Sequence, residues 1–109
     1  MTVEDFLKGT ALKQVTALPL NKEIKDIYAS DWLGWALGHI HEKEVLLTIQ
    51  CSMNVIALAI QKKLTAVIFC EGVTPTLEMV TKANEEKLIL ITSPVNEIKT
   101  AYLYFSRLT

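Results

Sequence analysis

The feature that most constrains this chain is an alternation in its second half. Three short, almost wholly aliphatic runs appear, Val45-Leu46-Leu47-Thr48-Ile49, Ala66-Val67-Ile68-Phe69 and Leu88-Ile89-Leu90-Ile91, and each is followed by a segment with helical spacing. Such runs are too short for helices. They also lack the polar alternation of half-exposed strands, which marks strands covered on both faces. A helix is expected over residues 54–63, another opening at Thr74-Pro75, and a last one opening at Ser93-Pro94, since proline suits the first helical turn. Strand–helix–strand repeats demand right-handed crossovers and parallel pairing. The expected fold class is therefore α/β: a three-layer-like domain with a mainly parallel sheet built from β-α-β-α-β-α, preceded by a short N-terminal helix and strands.

Residues 1–29 are less regular than the parallel core over residues 30–109. Thr2 and Asp5 have capping-box spacing for a helix through Phe6 and Leu7 that Gly9 ends. Residues 13–17 and 24–29 read as strands flanking a polar turn at Asn21-Lys22. Ser30 is the expected N-cap of a helix over residues 31–40, with Asp31 placed to suit the helix dipole and Leu33, Leu37 and Ile40 as its core stripe. The inner faces expected for the last two helices are Leu77, Val80 and Ala83, and Ile98, Ala101, Tyr102, Phe105 and Leu108.

With 109 residues, the chain has the commonest domain size and reads as one domain. A formal net charge of −1 supplies no long-range field for nucleic acid or an anionic membrane, and neither is expected as a partner. The start is acidic where a secretory signal would be basic, and no apolar run approaches the roughly 20 residues of a membrane span. Two cysteines are too few for a disulfide framework, so a cytoplasmic protein with reduced thiols is expected.

In open parallel sheets, ligands bind beyond the carboxyl ends of the strands, where helix N-termini offer free amide groups to anions. Those ends place the candidate ligand-binding residues: Gln50, Cys51, Ser52 and Asn54 after the first run, Cys70, Glu71 and Gly72 after the second, and Thr92 and Ser93 after the third. The alternative is that these loops only turn the chain and cap helices. Gly72 reads as a turn residue needing a backbone conformation that β-branched residues resist. Glu71 is the one acidic residue of these loops, a candidate base or amine ligand or simply a solvated side chain. Cys51 and Cys70 share an edge, as a redox pair, half a metal site, or two small loop fillers.

No P-loop, G-x-G-x-x-G, G-x-S-x-G or C-x-x-C is present, which removes the common nucleotide-binding and hydrolase sites. His39 and His41 are spaced so that they do not share a helix face, so no metal site is expected. No cofactor is expected, and no base lies near either cysteine loop in sequence, so the chain is not expected to be an enzyme. A cysteine nucleophile is the enzyme alternative that remains.

Two surfaces call for cover. Trp32, Trp35 and His39 fall beside the core stripe of their helix, where they either pack under the N-terminal strands or meet a partner. The segment Val55-Ile56-Ala57-Leu58-Ala59-Ile60 is apolar all round. Self-association through Trp32 and Trp35, or through Ile56 and Ile60, would cover them, and a two-fold homodimer is the simplest symmetric solution.

The arrangement from Asp31 to Ala101 resembles the DRTGG domain, which is related to the N-terminal domain of HPr kinase/phosphorylase and also occurs in CBS-domain pyrophosphatases and some phosphotransacetylases. The family's Asp-Arg-x-Asp loop falls on Cys51-Ser52-Met53-Asn54, its Thr-Gly-Gly turn on Cys70-Glu71-Gly72 with the following proline at Pro75, and its last turn on Thr92-Ser93-Pro94. The Asp and Arg are replaced by Cys51 and Ser52, and the Thr and first Gly by Cys70 and Glu71, so a ligand differing from the family's, or none, is implied. The resemblance implies a stand-alone, non-enzymatic regulatory or dimerisation module that senses a small anionic metabolite or nucleotide. The alternative is a structural interaction module with no ligand.

Overall fold

A computed structural model describes residues 1–109. The elements run α1 (Val3–Leu7), β1 (Lys13–Gln14), β2 (Asp26–Ala29), α2 (Leu33–His39), β3 (Glu44–Thr48), α3 (Met53–Gln61), β4 (Ala66–Phe69), α4 (Leu77–Glu85), β5 (Ile89–Thr92) and α5 (Glu97–Ser106). They form one mixed sheet in the order β1-β5-β4-β3-β2. The pairs β2–β3, β3–β4 and β4–β5 are parallel, and β1 runs antiparallel to β5 at one edge. This is the α/β class expected from the aliphatic runs.

Alternation across the pleat divides the core in two. Leu46, Val67, Phe69 and Leu90 point to α2, α3 and α4, where they meet Ala36, Ile56, Ala59, Met79 and Ala83. Val45, Leu47, Ala66, Ile68, Cys70, Ile89 and Ile91 point the other way, onto Phe6 of α1 and Tyr104 of α5. Phe6 and Tyr104 meet edge to face, with ring centroids 5.6 Å apart. Both faces of the central strands are dry, which is why their sequences show no polar alternation.

The N-terminal segment departs from the sequence expectation. The two strands that flank Asn21-Lys22 are not neighbours: they lie at opposite edges of the sheet. Pairing of the first strand ends at Gln14 rather than Ala17. Beyond it the Thr16 hydroxyl, not a backbone carbonyl, accepts the Leu90 amide proton, and the Ala17 amide turns away to Asn84 Oδ1.

Helix rotations also differ. Ser30 does not cap α2: the helix starts two residues later than the cap position implied, and Trp32 holds the N-cap place without a side-chain bond. Ser30 Oγ accepts the Trp32 amide proton instead. Ala36 and Ile40 are buried, whereas Leu37 is exposed. In α4 the cap is Thr76, which accepts the Met79 amide proton, so Pro75 precedes the helix and Met79 and Ala83 face inward, leaving Leu77 82% exposed.

In α5 the cap is Asn96, and Thr100 and Tyr104 are the buried residues, with Ala101 half-buried. Ile98, Tyr102, Phe105 and Leu108, expected inside, are exposed. The hydroxyl network of Thr100 and the Phe6–Tyr104 packing set the helix phase, and they outweigh the aliphatic count of the opposite face.

The apolar helix α3 is enclosed between α2 and α4. Ile56 is completely buried, which removes it as an interface residue, and Ile60 is half-buried against the same core. Neighbouring helices, rather than a second chain, provide the cover that this helix requires.

Candidate functional site

At the carboxyl edge the loops after β3, β4 and β5 lead into α3, α4 and α5. The β4–α4 turn is tied to the β5–α5 turn by two backbone bonds, Glu71 N–H to the Val95 carbonyl at 2.9 Å and Gly72 N–H to the Ser93 carbonyl at 3.0 Å. Holding both bonds requires positive φ at two successive residues, 59° at Glu71 and 74° at Gly72. Only glycine adopts this conformation freely, and a Cβ at Gly72 would meet no atom within 4 Å, so the requirement is one of backbone alone.

Below this turn runs a buried polar chain. Thr100 Oγ1 donates to the Asn96 carbonyl at 2.8 Å and accepts from Ser93 Oγ at 2.7 Å. Cys70 Sγ lies 3.7 Å from Thr100 Oγ1. Burial raises the Cys70 thiol to about 11, more than the Thr100 bond offsets, and the charges of Glu97 and Asp31 push the same way. Burial also raises Cys51, whose thiol donates to the Thr74 carbonyl at 3.3 Å and lies against Met79. These shifts are opposite to those of an activated nucleophile. The two cysteines share an edge but not a face: Cys51 packs with the α3–α4 core and Cys70 with the α1–α5 core. The geometry therefore does not pair them.

The sequence reading overlooked a carboxyl pair. Asp31 does not serve the start of α2. Its Oδ1 accepts from the Thr48 hydroxyl at 2.9 Å and the Ile49 amide at 2.8 Å, which fastens the β2–α2 loop over the end of β3. Its partner is Glu97, in the first turn of α5. Burial, the hydrogen bond to Asp31, and the charges of Asp31 and Glu71 together raise Glu97 to about 7. At Asp31 burial acts upward, but the bonds from Ile49, Glu97 and Thr48 outweigh it and hold the carboxyl below its usual value. The two carboxyls are thus pushed apart, Asp31 below its ordinary value and Glu97 above it. The one sequence signal was the acidic residue following the Ser93-Pro94 turn, and nothing local linked it to Asp31.

Of the expected ligand residues, Gly72, Thr92 and Ser93 come together with Ala11, Lys13, Thr74 and Pro94 around a depression of about 320 Å³. Cys70 is buried beneath the edge, Glu71 is exposed, and Gln50, Cys51, Ser52 and Asn54 line the α3 side, outside this depression. Lys13 is its only cation, and it arrives through the antiparallel edge strand. Thr74 and Thr92 add side-chain hydroxyls to its lining, while the Ser93 side chain is fully buried and bonded to Thr100. No three His, Cys, Asp or Glu side chains gather as a metal-holding group. His39 stacks on Trp35 at 4.0 Å, and the His41 amide donates to Glu44. Trp32 and Trp35 stack on each other and do not pack under the N-terminal strands: they are 69% and 51% exposed.

These features define an α/β fold, a mixed five-stranded sheet with the strand-to-helix loops gathered at one edge. The solved structure of the CBS and DRTGG domains of the regulatory region of Clostridium perfringens pyrophosphatase, complexed with the activator diadenosine tetraphosphate, superposes with a TM-score of 0.76 at 15% identity. The match covers 97% of this chain and 46% of that one, so this chain spans less than half of the structure it matches. The likeness shows the fold. No family model matches the chain, and no curated protein matches it. No helix is long and apolar enough to cross a membrane.

Proposed function

We propose that the chain is a DRTGG-type regulatory module that senses a small anionic metabolite or nucleotide and performs no chemistry of its own. The observation that carries this reading is the fold likeness, over nearly the whole chain, to a regulatory region whose solved form holds a nucleotide activator. The ligand's anionic group lies in the depression formed by Lys13, Gly72, Thr74, Thr92 and Ser93. The acidic side of the same edge, with Asp31 and Glu71, repels phosphate and so orients the ligand toward β1 and β5. Both thiols are held in their neutral form, which favours a module over a cysteine enzyme.

Titration of isotope-labelled protein with diadenosine tetraphosphate, and separately with ATP, tests the reading. Amide shifts are expected to cluster at Lys13, Gly72, Thr74 and Thr92, and Lys13→Ala is expected to weaken binding about tenfold. Absence of saturable shifts at this edge would overturn it.

A second reading, a structural interaction module, is favoured by the exposed aromatic stack of Trp32 and Trp35 on α2. Homodimerisation through that face is compatible with either reading. Sedimentation of the Trp32→Ser, Trp35→Ser double variant against the unaltered chain tests it, with loss of a dimer as the expected result.

A further inference from the structure

The opposite edge of the sheet carries a different chemistry. Four residues other than glycine have positive φ, and three of them are lysines: Lys43 at 65°, Lys63 at 54° and Lys87 at 59°. Each closes the passage from a helix into the next parallel strand, from α2 to β3, α3 to β4 and α4 to β5. At Lys63 and Lys87 the helix ends are wrapped by the bonds Leu64 N–H to the Ala59 carbonyl and Leu88 N–H to the Ala83 carbonyl, at 3.0 and 2.9 Å. That position belongs to glycine, then asparagine, because a Cβ there is strained. Lysine in strained backbone at two equivalent helix ends, and again in the turn before β3, is the kind of outlier that gathers at binding sites.

The three lysines are brought together. The Lys43 amide donates to the Lys63 carbonyl at 2.9 Å, and Lys22, from the β1–β2 connection, reaches across to donate to the Lys87 carbonyl. Two adjoining depressions result. One, of about 440 Å³, is lined by Lys22, Glu23, Lys43, Lys63, Leu64 and Thr65. The other, of about 270 Å³, shares Lys22, Lys63 and Leu64 with it and adds Lys87 and Glu86 beside an apolar wall that includes Ile60.

None of the four lysines forms an ion pair. The two acids in the linings are engaged elsewhere, Glu23 with the Met1 ammonium at 3.0 Å and Glu86 with Lys82 at 3.8 Å. Burial first, and then the charge of Lys87, lower the Lys22 ammonium from its ordinary value. Helix C-termini welcome cations, and this accounts for one lysine at each end. It does not account for a fourth lysine arriving from a separate connection, nor for the adjoining depressions.

The geometry points to a second anion site at the amino edge of the sheet, built from Lys22, Lys43, Lys63 and Lys87, whose ligand is an oligophosphate. Two cationic depressions with shared lysines match consecutive phosphate groups better than a single one. The site is independent of the depression at the carboxyl edge.

Calorimetry with inorganic tripolyphosphate, repeated with ATP, tests it. Saturable binding of tripolyphosphate to the unaltered chain is expected, falling on the order of tenfold in the Lys63→Gly, Lys87→Gly double variant and unchanged in Lys13→Ala, and ATP is titrated into Lys13→Ala so that the carboxyl edge does not contribute. Glycine removes the charge while relieving the backbone, so the variant is expected to melt higher than the unaltered chain, and weakened binding then cannot arise from misfolding. Equal binding by ATP and tripolyphosphate would identify a nucleotide's phosphate chain as a sufficient source, and preference for tripolyphosphate a free phosphate chain. Absence of saturable tripolyphosphate binding, tripolyphosphate binding unchanged in the glycine variant, or tripolyphosphate binding lost in Lys13→Ala would overturn the proposal. Lys13→Ala alone reports on the carboxyl-edge reading, so the two fail separately.

Discussion

The two edges of the sheet bear opposite charge and hold it in different ways. At the carboxyl edge the acids are fastened: Asp31 takes two donors from the end of β3, burial and neighbouring charge hold Glu97 toward its neutral form, and the hydroxyls of Ser93 and Thr100 satisfy one another. At the amino edge the ammonium groups have no acidic partners, and the backbone beneath them is strained. Both patterns complement the helix dipoles, which present positive ends at the carboxyl edge and negative ends at the amino edge. The lesson is that a helix N-terminus in this fold need not await an external anion. At α5 the chain supplies its own, and only the β1–β5 flank is left for a ligand.

The largest effect should come from forcing a side chain onto the left-handed turn. Gly72→Val is expected to destabilise the chain by about 2 kcal/mol in denaturant unfolding. A cost below about 0.5 kcal/mol would mean that the carboxyl edge is less tightly fastened than its bonds to Ser93 and Val95 suggest.

Thr100→Val keeps the shape and deletes the hydroxyl that links Ser93, Asn96 and Cys70. A loss of about 1–2 kcal/mol is expected, because a buried hydroxyl surrenders its best acceptor. A neutral result would remove the network from the contrast between the edges.

Glu97 gives the smallest and most specific effect. Its folded-state value of about 7 lies above the ordinary 4.5, so between these values the folded chain binds more protons than the unfolded chain. Stability from this group is full below about pH 4.5 and is lost as pH rises through about 7. Glu97→Gln keeps the neutral form at every pH. It is expected to raise stability at pH 8 by about 1 kcal/mol, a figure reduced for a side chain still partly in water, and to change little at pH 4.5. A pH-independent difference between the variant and the unaltered chain would show that Glu97 is not raised in the folded chain.

The central strands were legible to within one or two residues because dry strands leave an unmistakable aliphatic signature. Val45 to Leu47 and Ala66 to Phe69 are buried throughout. Strand order at the edges was not legible: β1 is two residues long, and its partner lies in the last strand of the chain. Helix phase failed where polar groups govern it. Prolines at positions 75 and 94 pointed to the right turns, but Thr76 and Asn96 set the caps, and at α5 that rotates four apolar side chains to the surface. At the candidate site, Gly72, Thr92 and Ser93 were visible because turns have a residue chemistry. Asp31 and Glu97 were not, because their partnership exists only once the β2–α2 loop and the start of α5 meet above β3.

The stacked rings on α2 have a consequence for optical measurements. The chain contains two tryptophans, one at the N-cap of α2 and one in its first turn. Its ultraviolet emission therefore reports the polarity around α2 rather than the integrity of the sheet. Any contact that dries this face would shift the emission to shorter wavelength without a change in fold.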